Sequence, residues 1–255
     1  MIKSEGIIVK TPSEIKIMQE GGRRLAGVKH KLFDEVVEGV SAEIIEQITC
    51  RLIAKERGKP SFKMVPGYRW ATCVNINEGV VHGIPKKEIV FKKGDVVSVD
   101  LGMFYRGFHT DTSFSVGLNT DPEITDFLET GEEALRSAIK SAIIGNRIYD
   151  ISFAIESILK NNGYSPVKAL VGHGVGRNLH EEPQIPCFID GAERNQSPEI
   201  PEGAVLAIEV MYSTGSADVV LDDDGWTIKT ADGKISALFE ETVAVTKRGP
   251  KILTF

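Results

Sequence analysis

One pattern recurs in this sequence at a fixed distance, and it restricts the fold more than any other feature. Residues 94–100 read GDVVSVD and residues 203–209 read GAVLAIE, so a glycine, aliphatic residues and an acid return at an offset of 109 residues. Helical apolar patterns precede both segments at nearly the same offset. Such self-similarity predicts two halves, about 1–118 and 119–255, related by a pseudo-two-fold axis that brings equivalent carboxylates to a shared centre.

Within each half, the sequence predicts two amphipathic helices followed by valine-rich strands. The first helix begins at Pro12, directly after a capping threonine, and is predicted to be interrupted near Gly21 and Gly22. The other helices are predicted over residues of about 44–57, 122–144 and 149–161. We therefore expect an α+β fold in which the same order of elements occurs twice.

Composition and charge exclude several classes of protein. With 42% apolar and 26% charged residues, the chain is typical of a globular protein, and its net charge of −6 without a long basic run argues against nucleic-acid or anionic-membrane binding. Cys50, Cys73 and Cys187 form no CxxC motif, which argues against a disulfide framework or a zinc finger. The N-terminus has no apolar segment of signal-peptide or membrane-spanning length, so we expect a cytoplasmic protein.

Two acids flank a predicted β-hairpin. A register centred between Tyr105 and Arg106 places Asp100 directly opposite Asp111, with Cβ atoms about 4.5–5.5 Å apart. Carboxylates that close on otherwise apolar strands repel each other and lose hydration, unless a cation lies between them or one stays protonated. The pair therefore indicates a divalent metal site, and the alternative is that both acids are exposed and solvated.

Further acids and one histidine occur in comparable surroundings. Glu209 lies in the apolar run GAVLAIEVM, where an unpaired charge is costly, and alternation in SALFEETVAVT does not decide whether Glu240 or Glu241 faces inward. His173 is flanked by glycines and is either a metal ligand or a turn or core residue. An oxygen-rich set with one nitrogen suits manganese, iron(II) or cobalt. This much negative charge favours two ions with bridging carboxylates and a bridging hydroxide.

These residues resemble the methionine aminopeptidases of the pita-bread fold. NEGVVHGIP, VDLG followed by HTDTS, GHGVGRNLHEEP, AIEVM, and GWTIKT followed by FEETVAVT stand in that family's order over essentially the whole chain. The resemblance implies one catalytic domain over residues 1–255, with two related halves sharing a curved antiparallel sheet flanked by helices. It also implies hydrolysis of the N-terminal methionine from nascent polypeptides, with a small second residue preferred and a metal-bridging hydroxide as the attacking group.

The same resemblance implies roles for individual residues. The implied ligands of two divalent ions are Asp100, Asp111, His173, Glu209 and Glu240. Among them Asp111 and Glu240 would bridge, and Glu209 would also take the proton from the attacking water. His82 and His180 would contact the substrate and stabilise the tetrahedral intermediate, although a helix-capping or salt-bridging role is the alternative for His180. The implied methionine pocket consists of Tyr68, Cys73, His82, Leu179, His180 and Trp226.

Spacing narrows the choice within the family, and two rivals remain. Only 35 residues separate His173 from Glu209, which leaves no room for the helical subdomain of type II members, so type I is favoured. The rivals are an Xaa-Pro peptidase on the same scaffold and a non-catalytic binding module. We expect a monomer whose partners are nascent polypeptide N-termini, with docking at the ribosome left open. The polar segment 187–202 is longer than the type leads us to expect.

Overall fold

Each half of the chain forms two helices before its long strands. The computed structural model describes residues 6–189, 191 and 194–255. The helices are α1 (Pro12–Glu35), α2 (Ala42–Lys55), α3 (Pro122–Ser141) and α4 (Ile148–Asn161). The strands are β1 (Lys59–Pro60), β2 (Thr72–Ile76), β3 (Gly79–Val81), β4 (Val96–Tyr105), β5 (Phe108–Gly117), β6 (Ser165–Pro166), β7 (Val171–Gly174), β8 (Glu181–Pro186), β9 (Val205–Ser213), β10 (Val219–Leu221), β11 (Ile228–Thr230), β12 (Ser236–Thr246) and β13 (Gly249–Ile252). The expected α+β class is confirmed, whereas the division near residue 118 stays a prediction.

A ten-stranded antiparallel sheet forms the centre of the molecule. Its main path is β1-β4-β5-β12-β9-β7-β8, while β2 also pairs with β4, β6 with β9 and β13 with β12. β3, β10 and β11 form a separate three-stranded sheet. Since β5 comes from the first half and β12 from the second, their pairing joins the halves at the centre. The acid-bearing strands β4, β5, β12 and β9 are therefore consecutive neighbours.

The first helix of each half packs against the same face of this sheet. Lys29 of α1 donates a hydrogen bond to Glu241 of β12. A Cβ atom on Gly131 of α3 would lie 2.7 Å from the ring of Phe239, also on β12. Residues two apart on a strand share a face, so α1 and α3 cover one side. Buried side chains of this layer include Leu25, Leu32, Val99, Phe127, Ile151 and Ile208.

The predicted interruption of α1 at Gly21 and Gly22 is wrong, because the helix runs through both residues. A Cβ atom on Gly22 would lie 2.4 Å from the carbonyl oxygen of Leu253, and one on Gly21 would lie 3.2 Å from Cβ of Tyr105. The glycines therefore allow the helix to approach the sheet closely. That contact outweighs their low helix propensity.

The turn between β4 and β5 lies one residue later than the sequence pattern predicts. Tyr105 pairs with Phe108, which leaves Arg106 and Gly107 as a two-residue loop. Their φ angles are +48° and +94°. Two-residue hairpin loops of type I′ need positive φ at both positions, and glycine meets this need at the second position without steric cost. The shift changes the register of the whole hairpin.

Two further expectations from the sequence concern membrane-spanning segments and the polar segment 187–202. Among the described residues, no helix has both the length and the apolar character needed to cross a bilayer. In the polar segment 187–202, residues 190, 192 and 193 lie outside the described part of the chain. The later part of that segment contacts the start of α4, where Ser197 Oγ accepts a hydrogen bond from the Tyr149 amide at 2.9 Å.

Candidate metal centre and active-site cavity

Three acids lie in one row across the centre of the sheet. Asp100 of β4 pairs with Ser113 of β5. Ser113 pairs in turn with Glu240 of β12, and Glu240 pairs with Glu209 of β9. Directly opposed residues of an antiparallel sheet project to the same face. The row therefore gathers carboxylates from both halves on one side of the sheet.

Asp111 lies in the adjacent row, and the predicted register is corrected here. It pairs with Gly102, so it is a diagonal neighbour of Asp100 and does not lie directly opposite it. The reason is the two-residue turn between β4 and β5, which moves the turn centre by one residue and the partner of Asp100 by two residues, from Asp111 to Ser113. Diagonal residues still share a face, with Cα atoms about 7–8 Å apart, so the two acids remain within reach of a common ion.

His173 reaches the same centre from β7. It pairs with Ala207, two residues before Glu209, and its Nε2 lies 3.5 Å from Glu209 Oε1. Its Nδ1 lies 2.8 Å from the Gly174 carbonyl oxygen, which fixes the ring and directs Nε2 toward the acids. Burial, and secondarily the nearby His180, lowers the pKa of His173 to about 4, so the imidazole is neutral and can coordinate a metal.

Asp111 and Glu240 are buried, Asp100 and Glu209 are half-buried, and no lysine or arginine among the described residues forms an ion pair with any of the four. Asp111 is 4% exposed and Glu240 2%. In the described part of the chain, Asp100 Oδ1 and Glu240 Oε1 accept no hydrogen bond. Burial raises the pKa of Asp111 to about 7, and burial together with repulsion from neighbouring acids raises the pKa of Asp100, Glu209 and Glu240 well above the ordinary range. This is the environment in which a divalent cation fits, since it supplies the missing charge.

Ligand atoms of Asp111, His173 and Glu240 all lie within 4.8 Å of one another. The neighbouring Glu241 has a different environment, because its carboxylate accepts hydrogen bonds from Lys29 on the helix side. Alternation along β12 therefore separates the two glutamates, and Glu240 is the one that faces the other acids. Three side chains converging this closely agree with the hard-oxygen, single-nitrogen set expected from the sequence.

A cavity opens beside this centre. Its lining includes all the residues that the sequence indicates as ligands or substrate contacts, namely Tyr68, Cys73, His82, Asp100, Asp111, His173, Leu179, His180, Glu209, Trp226 and Glu240. Phe62, Val65 and Val81 also line it and were missed by the sequence analysis. Apolar residues of these types occur throughout the core, so no local signal distinguishes them.

One end of the cavity is an apolar and aromatic compartment. The rings of Tyr68 and Trp226 meet edge to face with centroids 5.1 Å apart. Tyr68 also donates a hydrogen bond to the Thr72 carbonyl at 2.9 Å. Cys73 and Leu179, both buried, pack in the same cluster. The buried acids thus lie directly beside a compartment suited to an apolar side chain.

His82 and His180 stand at the mouth of the cavity, where both are exposed. Their partial burial lowers the pKa of each imidazole, so both rings are neutral and can donate a hydrogen bond at neutral pH. His82 has a φ of +58°, an uncommon conformation for a non-glycine residue. His180 lies in the loop directly before β8.

Comparison with known proteins places the chain in a family. Residues 16–247 match the family model of metallopeptidase family M24. A methionine aminopeptidase of Bacillus subtilis is 41% identical over 249 residues, which cover 97% of this chain and 99% of that protein. The chain belongs to the methionine aminopeptidases of family M24. Membership of this metallopeptidase family, together with the buried acid and histidine cluster, shows that the centre is a divalent-metal site.

Solved structures confirm the fold. The crystal structure of a methionine aminopeptidase from Thermotoga maritima matches with a TM-score of 0.94 and 40% identity, covering 97% of this chain and 99% of that one. A prolidase from Pyrococcus furiosus matches with a TM-score of 0.78 and 22% identity, covering 97% of this chain but 65% of that one. The second likeness shows a common fold alone. The pita-bread fold expected from the sequence is confirmed.

Proposed function

We propose that this protein is a type I methionine aminopeptidase, which hydrolyses the bond after the N-terminal methionine of nascent polypeptides and prefers a small second residue. One observation carries the proposal: buried, unneutralised metal-ligand side chains and an apolar compartment line the same cavity. The ligand cluster supports metal-dependent hydrolysis, and the compartment supports selection of a long apolar side chain. The similarity to methionine aminopeptidases over nearly the whole chain supports both.

Two divalent ions are proposed to occupy the centre, with manganese, iron(II) or cobalt as candidates. Their proposed ligands are Asp100, Asp111, His173, Glu209 and Glu240. A pair of ions is supported by charge, because four carboxylates exceed what one divalent ion neutralises. Asp111 and Glu240, which lie on the two central strands, are proposed to bridge. When bound, the ions supply an activated water and a Lewis acid for the scissile carbonyl.

The protein's own side chains are proposed to divide the remaining chemistry. Glu209 is proposed to take and return a proton, because its Oε1 lies at the centre, 3.5 Å from His173 Nε2. His82 and His180 are placed at the mouth to donate hydrogen bonds to the substrate carbonyl as negative charge develops on it. Their depressed pKa values keep them neutral and therefore able to act as donors without adding positive charge beside the metals.

The methionine side chain is proposed to occupy the aromatic compartment. A thioether is flexible and makes favourable contacts with aromatic rings, which Tyr68 and Trp226 provide, while Cys73 and Leu179 complete an apolar wall. A second trough continues past His82 and His180 and is lined by residues such as Met211 and Gln184. The rest of the peptide is proposed to leave the cavity along this trough.

The domain organisation, oligomeric state, location and partners of the protein are proposed from the sequence. Residues 1–255 are proposed to act as one catalytic domain and as a monomer in the cytoplasm, with N-termini of nascent polypeptides as partners. Docking at the ribosome is a further proposal. The rival assignments, an Xaa-Pro peptidase and a non-catalytic module, predict respectively release from Xaa-Pro dipeptides and no metal-dependent release at all.

The deciding experiment measures release of methionine from Met-Ala-Ser before chelation, after chelation and after addition of manganese or cobalt. Asp111→Asn should abolish release and leave the fold intact, whereas Glu241→Gln is a matched control outside the cavity. An Xaa-Pro dipeptide assayed in parallel should not be cleaved. Absence of metal-dependent methionine release would defeat the assignment.

A further inference from the structure

The loop between β7 and β8 carries two residues of the proposed substrate site yet has no regular secondary structure. Residues 175–180 form this loop, and both Leu179 and His180 line the cavity. A loop that contributes a reactive side chain needs fixed support from its surroundings. In this protein the support comes from the segment that precedes α1.

A buried ion pair connects that segment to the loop. Lys10 Nζ lies 2.6 Å from Glu181 Oε2, and the two side chains are 3% and 1% exposed. The other oxygen of Glu181 accepts a hydrogen bond from the Asn178 amide at 3.1 Å. The Lys10 amide donates to the Gly203 carbonyl at 2.8 Å, which anchors the lysine to the turn before β9. Glu181 therefore joins a fixed cation to the turn that leads into His180.

Gly176 shows how closely the pair is packed against the loop. A Cβ atom there would lie 2.4 Å from Lys10 Cε and 2.8 Å from a Glu181 carboxylate oxygen. The Gly176 carbonyl accepts a hydrogen bond from the His109 amide at 2.7 Å. The loop is thus hydrogen-bonded to β5 at Gly176 and is packed against the ion pair at the same residue.

The same loop carries a second ion pair that serves as an internal contrast. Arg177 Nη2 lies 2.8 Å from Glu14 Oε1, but the arginine side chain is 68% exposed. Exposed pairs contribute little, because water screens them and both side chains lose freedom. Replacing a buried ion pair by apolar residues of similar size often leaves stability unchanged, whereas the ion pair fixes the relative positions of its two side chains. Retaining charge at Lys10 and Glu181 is therefore better explained by positioning than by stability.

We propose that Lys10, acting through Glu181, is a positioning residue for His180. This inference rests on the proposed function, since it assigns Lys10 a part in the same reaction without contact with the substrate. The ion pair sets where the His180 imidazole stands relative to the metal centre. Its loss lowers transition-state stabilisation and leaves the ligand strands unchanged.

The test uses Lys10→Met/Glu181→Gln, which removes both charges at nearly constant volume and leaves no unpaired buried ion. Arg177→Gln, which breaks the exposed pair of the same loop, is the matched control.

Hydrogen exchange of residues 175–181 is measured in the full chain with metal bound, alongside kcat and KM on Met-Ala-Ser. The pair variant should lose about tenfold in loop protection and about 10- to 100-fold in kcat/KM, mainly in kcat. The control should change both by less than about twofold.

A coupling measurement separates positioning from simple anchoring. In a His180→Ala background, removing the ion pair should cause almost no further loss of kcat/KM, since its effect passes through the missing imidazole. An equal loss in that background, an unchanged exchange pattern, or a mobile loop with unaltered kinetics would each overturn the proposal. Exchange requires no turnover, so an inactive wild-type protein would refute the proposed function while the loop result still stands by itself.

Discussion

Glu240 and Glu241 are adjacent on β12, but their carboxylates lie on opposite faces of the sheet in opposite electrostatic surroundings. On the helix side, Glu241 accepts a hydrogen bond from Lys29 Nζ at 2.6 Å and another from the Thr254 hydroxyl. On the cavity side, Glu240 is 2% exposed and faces other acids. Its Oε1 has no hydrogen-bond partner within the ranges that the structure describes.

This difference shows how two adjacent residues of one strand take different roles, because they face opposite sides of the sheet. Where the protein supplies its own cation, the carboxylate is satisfied and stabilises the contact between helix and sheet. Where it supplies none, the negative charge is left for a metal. Thr112 connects the two sides, because its Oγ1 lies 2.9 Å from both the Lys29 ammonium and the Glu240 carbonyl oxygen.

The largest expected effect is on the cavity side. Glu240→Gln should reduce methionine release by about 1,000-fold or more, equivalent to about 4 kcal/mol, because a proposed bridging ligand is lost. The same change should raise the thermal midpoint of the chelated protein, since it removes a repelling charge. Release assays and calorimetry of the chelated protein check both parts. If the Glu240→Gln variant keeps full activity, Glu240 is not a metal ligand, and the proposed difference in role between Glu240 and Glu241 is wrong.

The pH dependence of the chelated protein should show the same repulsion. Burial raises the pKa of Asp111 to about 7 in the folded protein. Between about pH 4, where the unfolded chain releases this proton, and pH 7, the folded protein binds more protons, so stability falls as pH rises. We expect a loss on the order of a few kcal/mol across this window, removed by adding metal. Denaturant unfolding at several pH values measures it, and a rise in stability with pH would contradict the sign.

The helix side should respond in stability more than in activity. Glu241→Gln leaves Lys29 largely buried without its anionic partner and should cost about 2 kcal/mol in the free energy of unfolding. Activity per folded molecule should stay within about threefold of wild type. The double change Lys29→Met/Glu241→Gln should recover much of the stability. Urea titrations of the three variants test this, and a selective loss of activity would place Glu241 in the reaction.

The smallest expected effect concerns a neutral polar group of the same cavity. Tyr68→Phe removes the hydrogen bond to the Thr72 carbonyl, which lies at 2.9 Å, and keeps the aromatic ring against Trp226. The expected cost is about 1 kcal/mol or less in stability, with KM raised a few-fold and kcat unchanged. Steady-state kinetics on Met-Ala-Ser measure this. A large fall in kcat would show that the phenol takes part in the chemistry.

Much of the fold follows from local patterns in the sequence. Thr11 and Pro12 predict the start of α1, and a capping box between Thr11 and Glu14 forms there. Such signals act between residues a few positions apart, so they are visible in the sequence. The predicted break at Gly21 and Gly22 failed because their role is a contact with distant residues, which local propensity does not contain.

The candidate site divides in the same way. The residue types, their apolar surroundings and the repeated strand pattern indicated a metal centre, because an unpaired acid in an apolar strand is costly wherever it lies. The positions of Asp100 and Asp111 relative to each other depend on the turn at Arg106 and Gly107, which moves the partner of Asp100 by two residues, from Asp111 to Ser113. A shift of two residues leaves every side chain on the same face of the sheet, so an alternating pattern does not reveal it.

By itself, then, the sequence indicated that several acids lie in apolar strands, where the helices begin and end, and that one pattern of elements occurs twice. Only the tertiary structure decided that Glu240 faces the acids while Glu241 meets Lys29, that Asp111 lies diagonal to Asp100, and that Lys10 supports the His180 loop. The physical reason is range. Propensity and hydration are properties of a residue and its near neighbours, whereas register, facing and ion pairing arise when strands and segments far apart in the chain are packed together.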